Sequence, residues 1–584
     1  MPLTRAGRHR AGRQLAGRQL AASPSQSGNI AGSALAIMVG ALICLPLLAV
    51  VWLALTPTEN IWPHLISTVL PDYITTTGLL MLGVAIGTTV IGVATAWCVT
   101  HLEFTGRSIF IWALLLPFAV PAYVIAYVYT DLLEFAGPVQ TALRSVFGWQ
   151  SARDYYFPSV RSLGGAVVMM VLVLYPYVYL LARSAFTEQS SSLIEAARAL
   201  GQSQSKSFFA ISLPLARPAI AVGVALALME TLNDFGTVDY FSVRTLTAGI
   251  YDVWLGMGNL GGGAQIACLL MLFVLLILWL ERSSRKKQQQ FQPSSSRFRP
   301  ADRIRLKGWR NLLVFLICAI PFVLGFVIPA AVLVHYAVIN FELSWNAEFR
   351  KTALNSVLLS ATAAVITVVL GVFLAYSMRI RPNRLLRWCT RLAGTSYALP
   401  GAVLAIGVIV PFTRFDNAVD SFARDHFNFS TGLLLSGTVA AIIFAYVVRF
   451  MAVAYGSIES SLSKITPSMD MAAKSLGNTP AKMLRRVHIP MMRSGIITAA
   501  LVVFVDCMKE LPATLVLRPF NFDTLATHVY QFASDELIGQ SALGALCIVL
   551  TGLIPIILLS HSIDRSRNLT HKSVPTFATA KGSL

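Results

Sequence analysis

Long apolar stretches broken by short polar gaps make up most of this chain, and their lengths predict its elements. About 20 residues at 1.5 Å rise cross roughly 30 Å of hydrocarbon, so a mostly apolar run of about that length suits a membrane-spanning helix. Twelve such runs are centred near residues 33–55, 76–98, 109–130, 163–182, 216–233, 262–280, 311–337, 354–377, 392–411, 431–448, 494–515 and 540–561. The pattern predicts an all-α polytopic membrane protein. A hydrophilic tail with Arg5, Arg8, Arg10, Arg13 and Arg18 precedes the first run, and no small-residue cleavage site closes it. That run is therefore expected to be a retained span.

Composition removes the alternatives. Hydrophobic residues make up 55% and charged residues 12%, about half the charged share of a soluble domain. Lys and Arg number 46 against 27 Asp and Glu, a net charge of +19. A nucleic-acid partner would call for a charge-rich globular surface; here the charge sits in the gaps between apolar runs. Placing the N-terminus, every second gap and the C-terminus on one side puts 36 Lys+Arg and 8 Asp+Glu there. The opposite gaps (56–75, 131–162, 235–261, 338–352, 412–430, 516–539) hold 9 and 15. Basic loops mark the cytoplasm, so both termini are expected inside. The seven cysteines form no CxxC pair, and neither a disulfide framework nor a zinc site is indicated.

The chain also reads as a duplication. Residues 282–310 carry ten Lys+Arg around the low-complexity stretch QQQFQPSSSRF, a linker composition. The expected organisation is a basic tail (1–32), a first half (33–282, core 73–282), a linker (283–310), a second half (311–562, core 350–562) and a tail (563–584). Six spans per half give two parallel repeats, unlike the inverted repeats of many secondary transporters. Glu195-Ala196-Ala197-Arg198-Ala199-Leu200-Gly201, then Leu213-Pro214 and Arg217, recur 276 residues later as Met471-Ala472-Ala473-Lys474-Ser475-Leu476-Gly477, then Ile489-Pro490 and Arg493. The same shift maps Glu230 onto Asp506 and Asp234 onto Glu510. One offset held over this length indicates a repeat.

Each copy predicts a short helix pair on the basic side. Alanine-rich helix formers run into Leu-Gly, a left-handed helix end. A second helix (Ser203 to Ala210; Thr479 to Val487) is expected to stop before the proline. Small residues let another surface approach; an amphipathic loop lying on the bilayer is the competing reading. Glu230 and Asp234, like Asp506 and Glu510, are four apart and so expected on one helix face. An ionised carboxylate facing lipid costs about 2.5–3.5 kcal/mol, so all four should face the bundle interior. There they either line a translocation path, where hard cations prefer carboxylate oxygen, or cap helix ends and pair with Lys509 and arginines. No firm metal site is indicated, only transient contacts at Glu230, Asp234, Asp506 and Glu510. The histidines, among them His101, His488, His571, His64, His426 and His528, form no ligand cluster and are expected at surfaces or interfaces. The aromatic stretch Trp149 to Phe157 reads as an interfacial belt, or else as a contact for a binding protein.

The doubled EAAxxLG…LP pattern (Glu195 to Pro214, degenerate at 471–490) resembles the EAA signature of ABC-importer permeases. Met471 departs from it, standing where the glutamate belongs, with Asp470 one position earlier. The resemblance implies a type I importer permease fold in which Glu195, Ala196, Ala197, Gly201, Pro214, Asp470, Ala472, Ala473, Gly477 and Pro490 form ATPase-coupling segments, with Glu195, the alanines and the glycines facing the ATPase. No GxxxxGK[ST] loop exists to cradle phosphates, and Leu260-Gly261-Gly262-Gly263-Ala264-Gln265 reads as a helix entry. ATP and Mg are thus expected on two cytoplasmic partner subunits, copies of one polypeptide, and no cofactor or catalytic residue on this chain. The strings Met229 to Phe241, Thr247 to Tyr251, Lys509 to Thr514 and Leu517 to Phe520 resemble the ferric-iron branch. They imply Fe(III) handed over by a periplasmic binding protein in a bacterial inner membrane. Thiamine, polyamine or inorganic-anion import, or an ion-gradient-driven transporter, are the alternatives.

Overall fold

The computed structural model describes residues 30–57, 59–189, 199, 201–286, 303–380, 382–394 and 396–554. Ten helices among these are long and apolar enough to cross a membrane. They are α1 (Ala34–Leu55), α2 (Leu70–His101), α3 (Leu163–Glu188), α4 (Phe208–Asn233), α5 (Leu260–Ser284), α6 (Trp309–Ile339), α7 (Ala347–Ile380), α8 (Gly401–Phe427), α9 (Val439–Ser463) and α10 (Pro480–Met508). Two of the twelve expected spans take other forms. The third is a pair, Arg107–Ala119 and Ala122–Phe147, bent by 91°. The twelfth is the shorter apolar helix Ile538–Ile554, and the rest of its expected run lies outside the described residues.

Prolines set these breaks. Pro121 and Pro400 have the same extended backbone (φ −60°, ψ 144°) and each caps the helix that follows. Each is preceded by a short tight turn, Leu116–Ala119 or Ser396–Ala398. The span expected at 392–411 therefore begins at Gly401 instead, because a residue before proline avoids the helical region. Inside the spans, threonines hide their hydroxyls on their own helix: Thr88 donates to Val84 O at 2.7 Å, Thr95 to Ile91 O at 2.7 Å.

Helices α2, α3 and α4 form the core of one half, and α7, α9 and α10 that of the other. The leading span of each half crosses over: α1 packs on α8 and on the helix Arg384–Ala393, while α6 packs on α2 and on both arms of the bent pair. The two halves are thus interlocked. The linker re-enters as β2 (Ile304–Arg305), pairing in parallel with β1 (Leu102–Glu103) below α2. Asn311 then holds Thr105 by two hydrogen bonds, one to its backbone N–H and one to its hydroxyl.

Candidate functional site

Helices α4 and α10 both stop short of their last acid. Pro512 cannot continue α10, and the chain turns into the short helices Gly236–Tyr240 and Pro512–Leu517. Free N–H groups at the start of a helix attract an anion. Asp234 accepts one from Thr237 at 2.7 Å, and Glu510 one from Ala513 at 3.2 Å. The expected single helix face is therefore corrected: Asp234 and Glu510 lie beyond the helix ends, as matching caps.

All four acids nevertheless line one cavity of about 80 Å³ between the halves. Two cations share it. Arg449, from α9, donates to Glu510 at 2.9 Å and to Asn233 of the first half at 2.7 Å. Lys509 reaches Asp506 at 3.0 Å. Tyr397 donates to Glu230. Glu230 and Asp234 have no ion-pair partner among the described residues, so four carboxylates meet two cations. The offset of 276 places Val173 opposite Arg449 and Asn233 opposite Lys509; both cations come from the second half. Gly401 fits where nothing larger does. Its N–H donates to Asn233 at 2.8 Å, and a Cβ there would lie 2.8 Å from Glu510 Oε1 and 2.9 Å from Arg449 Nη1.

A wider cavity of about 470 Å³ shares Phe118, Tyr177, Tyr397 and Asp506 with the first and extends to Glu281 and Arg282 at the linker end of α5. Toward the opposite face the halves are latched. Tyr251 donates to Pro512 O at 2.7 Å and Tyr530 to Asp239 at 2.6 Å, while Arg161 bridges Glu134 and Glu536 at 2.7 and 3.2 Å.

The repeated segments lie at the linker end. Glu195, Ala196 and Ala197 are outside the described residues. Gly201 and Gly477 both take the left-handed conformation, φ +78° and +74°, which a glycine adopts without strain. In the second copy, helix Pro467–Ser475 exposes Met471 and Ala472, and Leu476, which caps its end, is exposed as well. Ala473 is buried against Tyr376 and Met483, so the expectation that it faces outward is corrected: its small side chain seats the helix on α7.

Asp470 is also turned inward. Arg379, at the end of α7, donates to it at 2.8 Å and spends its other nitrogens on Leu462 O and Ile465 O. His488 Nε2 lies 2.8 Å from its other oxygen. His488, expected at a surface or interface, is fully buried within the second half against Asp470. Burial resists charge on Asp470, but the Arg379 and His488 hydrogen bonds outweigh it and hold the carboxyl below its ordinary range. A lowered carboxyl stabilises the fold above the unfolded value of about pH 4 and loses that contribution as pH falls through the folded value. Asp470→Asn is expected to remove about 1.5–3 kcal/mol and the acid-side loss of thermal stability with it. A variant melting like the parent at neutral pH would show the clamp to be idle.

The prolines do not end the second helix of each pair. One π-helical turn, Phe208–Ser212 or Leu484–His488, lies immediately before Leu213-Pro214 or Ile489-Pro490, and the helix runs on as α4 or α10. A wider turn relieves the clash a proline makes with the carbonyl one turn back.

A model of the family described as binding-protein-dependent transport system inner membrane component matches twice, over residues 88–289 and 367–574. The chain belongs to this family. It is a multi-pass permease of the inner membrane. It is similar to an Fe(3+)-transport system permease protein of Haemophilus influenzae, 26% identical over 532 residues, covering 90% of this chain and 97% of that one. A ferric transport system permease protein of Actinobacillus pleuropneumoniae is 21% identical, covering 80% and 67%. A molybdenum transport system permease protein of Escherichia coli is 29% identical over 206 residues, covering 34% and 86%.

Sequence reasoning missed Arg449, Asn233 and Tyr397 in this permease. Arg449 had a signal: an arginine in the middle of an apolar run is expensive in lipid and marks a partner inside the bundle. Tyr397 and Asn233 had none, since both gain their roles only when the halves meet.

Proposed function

We propose that this permease carries ferric iron from a periplasmic binding protein to the cytoplasm, driven by two cytoplasmic ATP-binding subunits. Both termini and the tips at Gly201 and Gly477 face the cytoplasm in this reading, in keeping with the basic loops. The observation that carries it is the cavity between the halves, where Glu230 and Asp234 form no ion pair among the described residues, together with likeness to Fe(3+) permeases along nearly the whole chain. Hard trivalent cations prefer oxygen donors. Met471, Ala472 and Leu476 form the docking surface for the ATPase.

An inorganic anion is the second reading, favoured by Arg449 and Lys509 in the same cavity. Each is neutralised by its own acid, which leaves negative charge in excess. The test is ATP-dependent uptake into proteoliposomes containing the full complex, with ferric iron, molybdate and thiamine as competing cargoes. Ferric uptake is expected, slowed in Glu230→Gln/Asp506→Asn without loss of assembly. Uptake of molybdate alone, or uptake that persists without ATP under an ion gradient, would overturn the proposal.

A further inference from the structure

Three phenol groups of the permease are buried without a hydrogen-bond partner among the described residues, the hydroxyls of Tyr123, Tyr127 and Tyr175, and the first two belong to adjacent rings beside the acid cavity. Tyr123 is 3% exposed and Tyr127 2%. Buried hydroxyls are normally satisfied, because an unpaired one forfeits its bond to water and gains nothing in return. Phenylalanine would fill either site more cheaply, so the oxygens call for a reason.

Their placement supplies one. Tyr123 lines the acid cavity, with Asp234 and Glu510 as its electrostatic neighbours. Its ring lies 5.8 Å from that of Tyr127, which meets Tyr240 edge-on at 4.5 Å. Tyr240 in turn lies under the Arg161 guanidinium, 4.8 Å from its ring centre. These three rings therefore lead from the Arg161 bridge, on the face opposite the repeated tips, down to the carboxylates.

We propose that Tyr123 and Tyr127 are transient oxygen ligands that relay the trivalent cation from that face to Asp234 and Glu230; this rests on the ferric reading above. No group of three or more His, Cys, Asp or Glu among the described residues could hold a metal. A sparse donor set suits transit, since conduction needs sites favourable enough to enter and weak enough to leave. Phenol oxygen is a hard donor that ligates iron elsewhere in protein chemistry. Tyr123 binds the cation through a lone pair of its neutral phenol and keeps its proton, so Asp234 stays free to receive the cation next. Iron stays ferric throughout, and no electron is exchanged.

The experiment uses the complete complex with its binding protein and ATPase, in Tyr123→Phe, Tyr127→Phe and the double variant. Each change removes an oxygen with no hydrogen-bond partner among the described residues, so yield and melting temperature should match or exceed the parent. Uptake of Fe(III), and of redox-silent Ga(III), is expected to fall roughly tenfold or more in the double variant, the worth of one contact to a charged group. ATP hydrolysis stimulated by loaded binding protein should persist. Parental uptake in the double variant would overturn the relay and leave the cargo reading standing. A parental complex that moves neither cation would overturn both.

Discussion

Arg449→Met is expected to destabilise the permease by about 3–5 kcal/mol, the loss typical of a buried ion pair stripped of one partner. Glu510, 4% exposed, would keep a charge with no cation beside it. Asn233 would lose one of its two donors from the second half, keeping the Gly401 N–H. The double variant Arg449→Met/Glu510→Gln removes both charges and should recover most of the loss, because apolar or neutral replacement of a whole pair is often nearly neutral. Thermal unfolding in detergent, compared across the parent, single and double variants, reads this out. A single variant as stable as the parent would sink the idea that Arg449 holds Glu510 and Asn233 together.

The second large effect is expected at the tip. Met471 is 62% exposed and Leu476 81%, on a short helix whose other face is pinned through Asp470 and Ala473. Two large apolar side chains held out on a fixed support suit a partner's pocket. Met471→Asp/Leu476→Asp should leave insertion and melting unchanged, since neither side chain is part of the core. Binding of the ATP-binding subunit should weaken by about 2 kcal/mol or more, a factor of roughly 30 in affinity, and uptake should fail with it. Co-purification at the parental level would remove the docking surface from the mechanism.

Much of this was legible beforehand for physical reasons. The spans announce themselves because lipid leaves no choice of residue over some twenty positions, and the doubled Leu-Gly tips because only one backbone conformation fits there. The convergence of Glu230 and Asp506 followed from the expense of charge in lipid. What escaped were events that depend on two distant segments meeting. Proline at 490 looked like a terminator because the π turn that accommodates it leaves no mark in composition. Asp234 and Glu510 looked like residues on a helix face because the break after Met508 depends on Pro512, two positions beyond the acid that it frees. His488 looked like an ordinary histidine until Asp470, eighteen residues earlier, was found against it. Tyr123 and Tyr127 sit in the run near 109–130 with nothing in the sequence to set them apart, and only their unpartnered hydroxyls single them out.

The π turn has a mechanical result. Helix α10 runs unbroken for 29 residues from Pro480 to Met508, roughly 43 Å at 1.5 Å per residue. One end is wedged against the Asp470 clamp, and the other carries Asp506 and delivers Glu510. Such a shaft transmits torque: twisting it at the tip swings Asp506 and Lys509 about its axis at the same moment, with no joint between to absorb the turn.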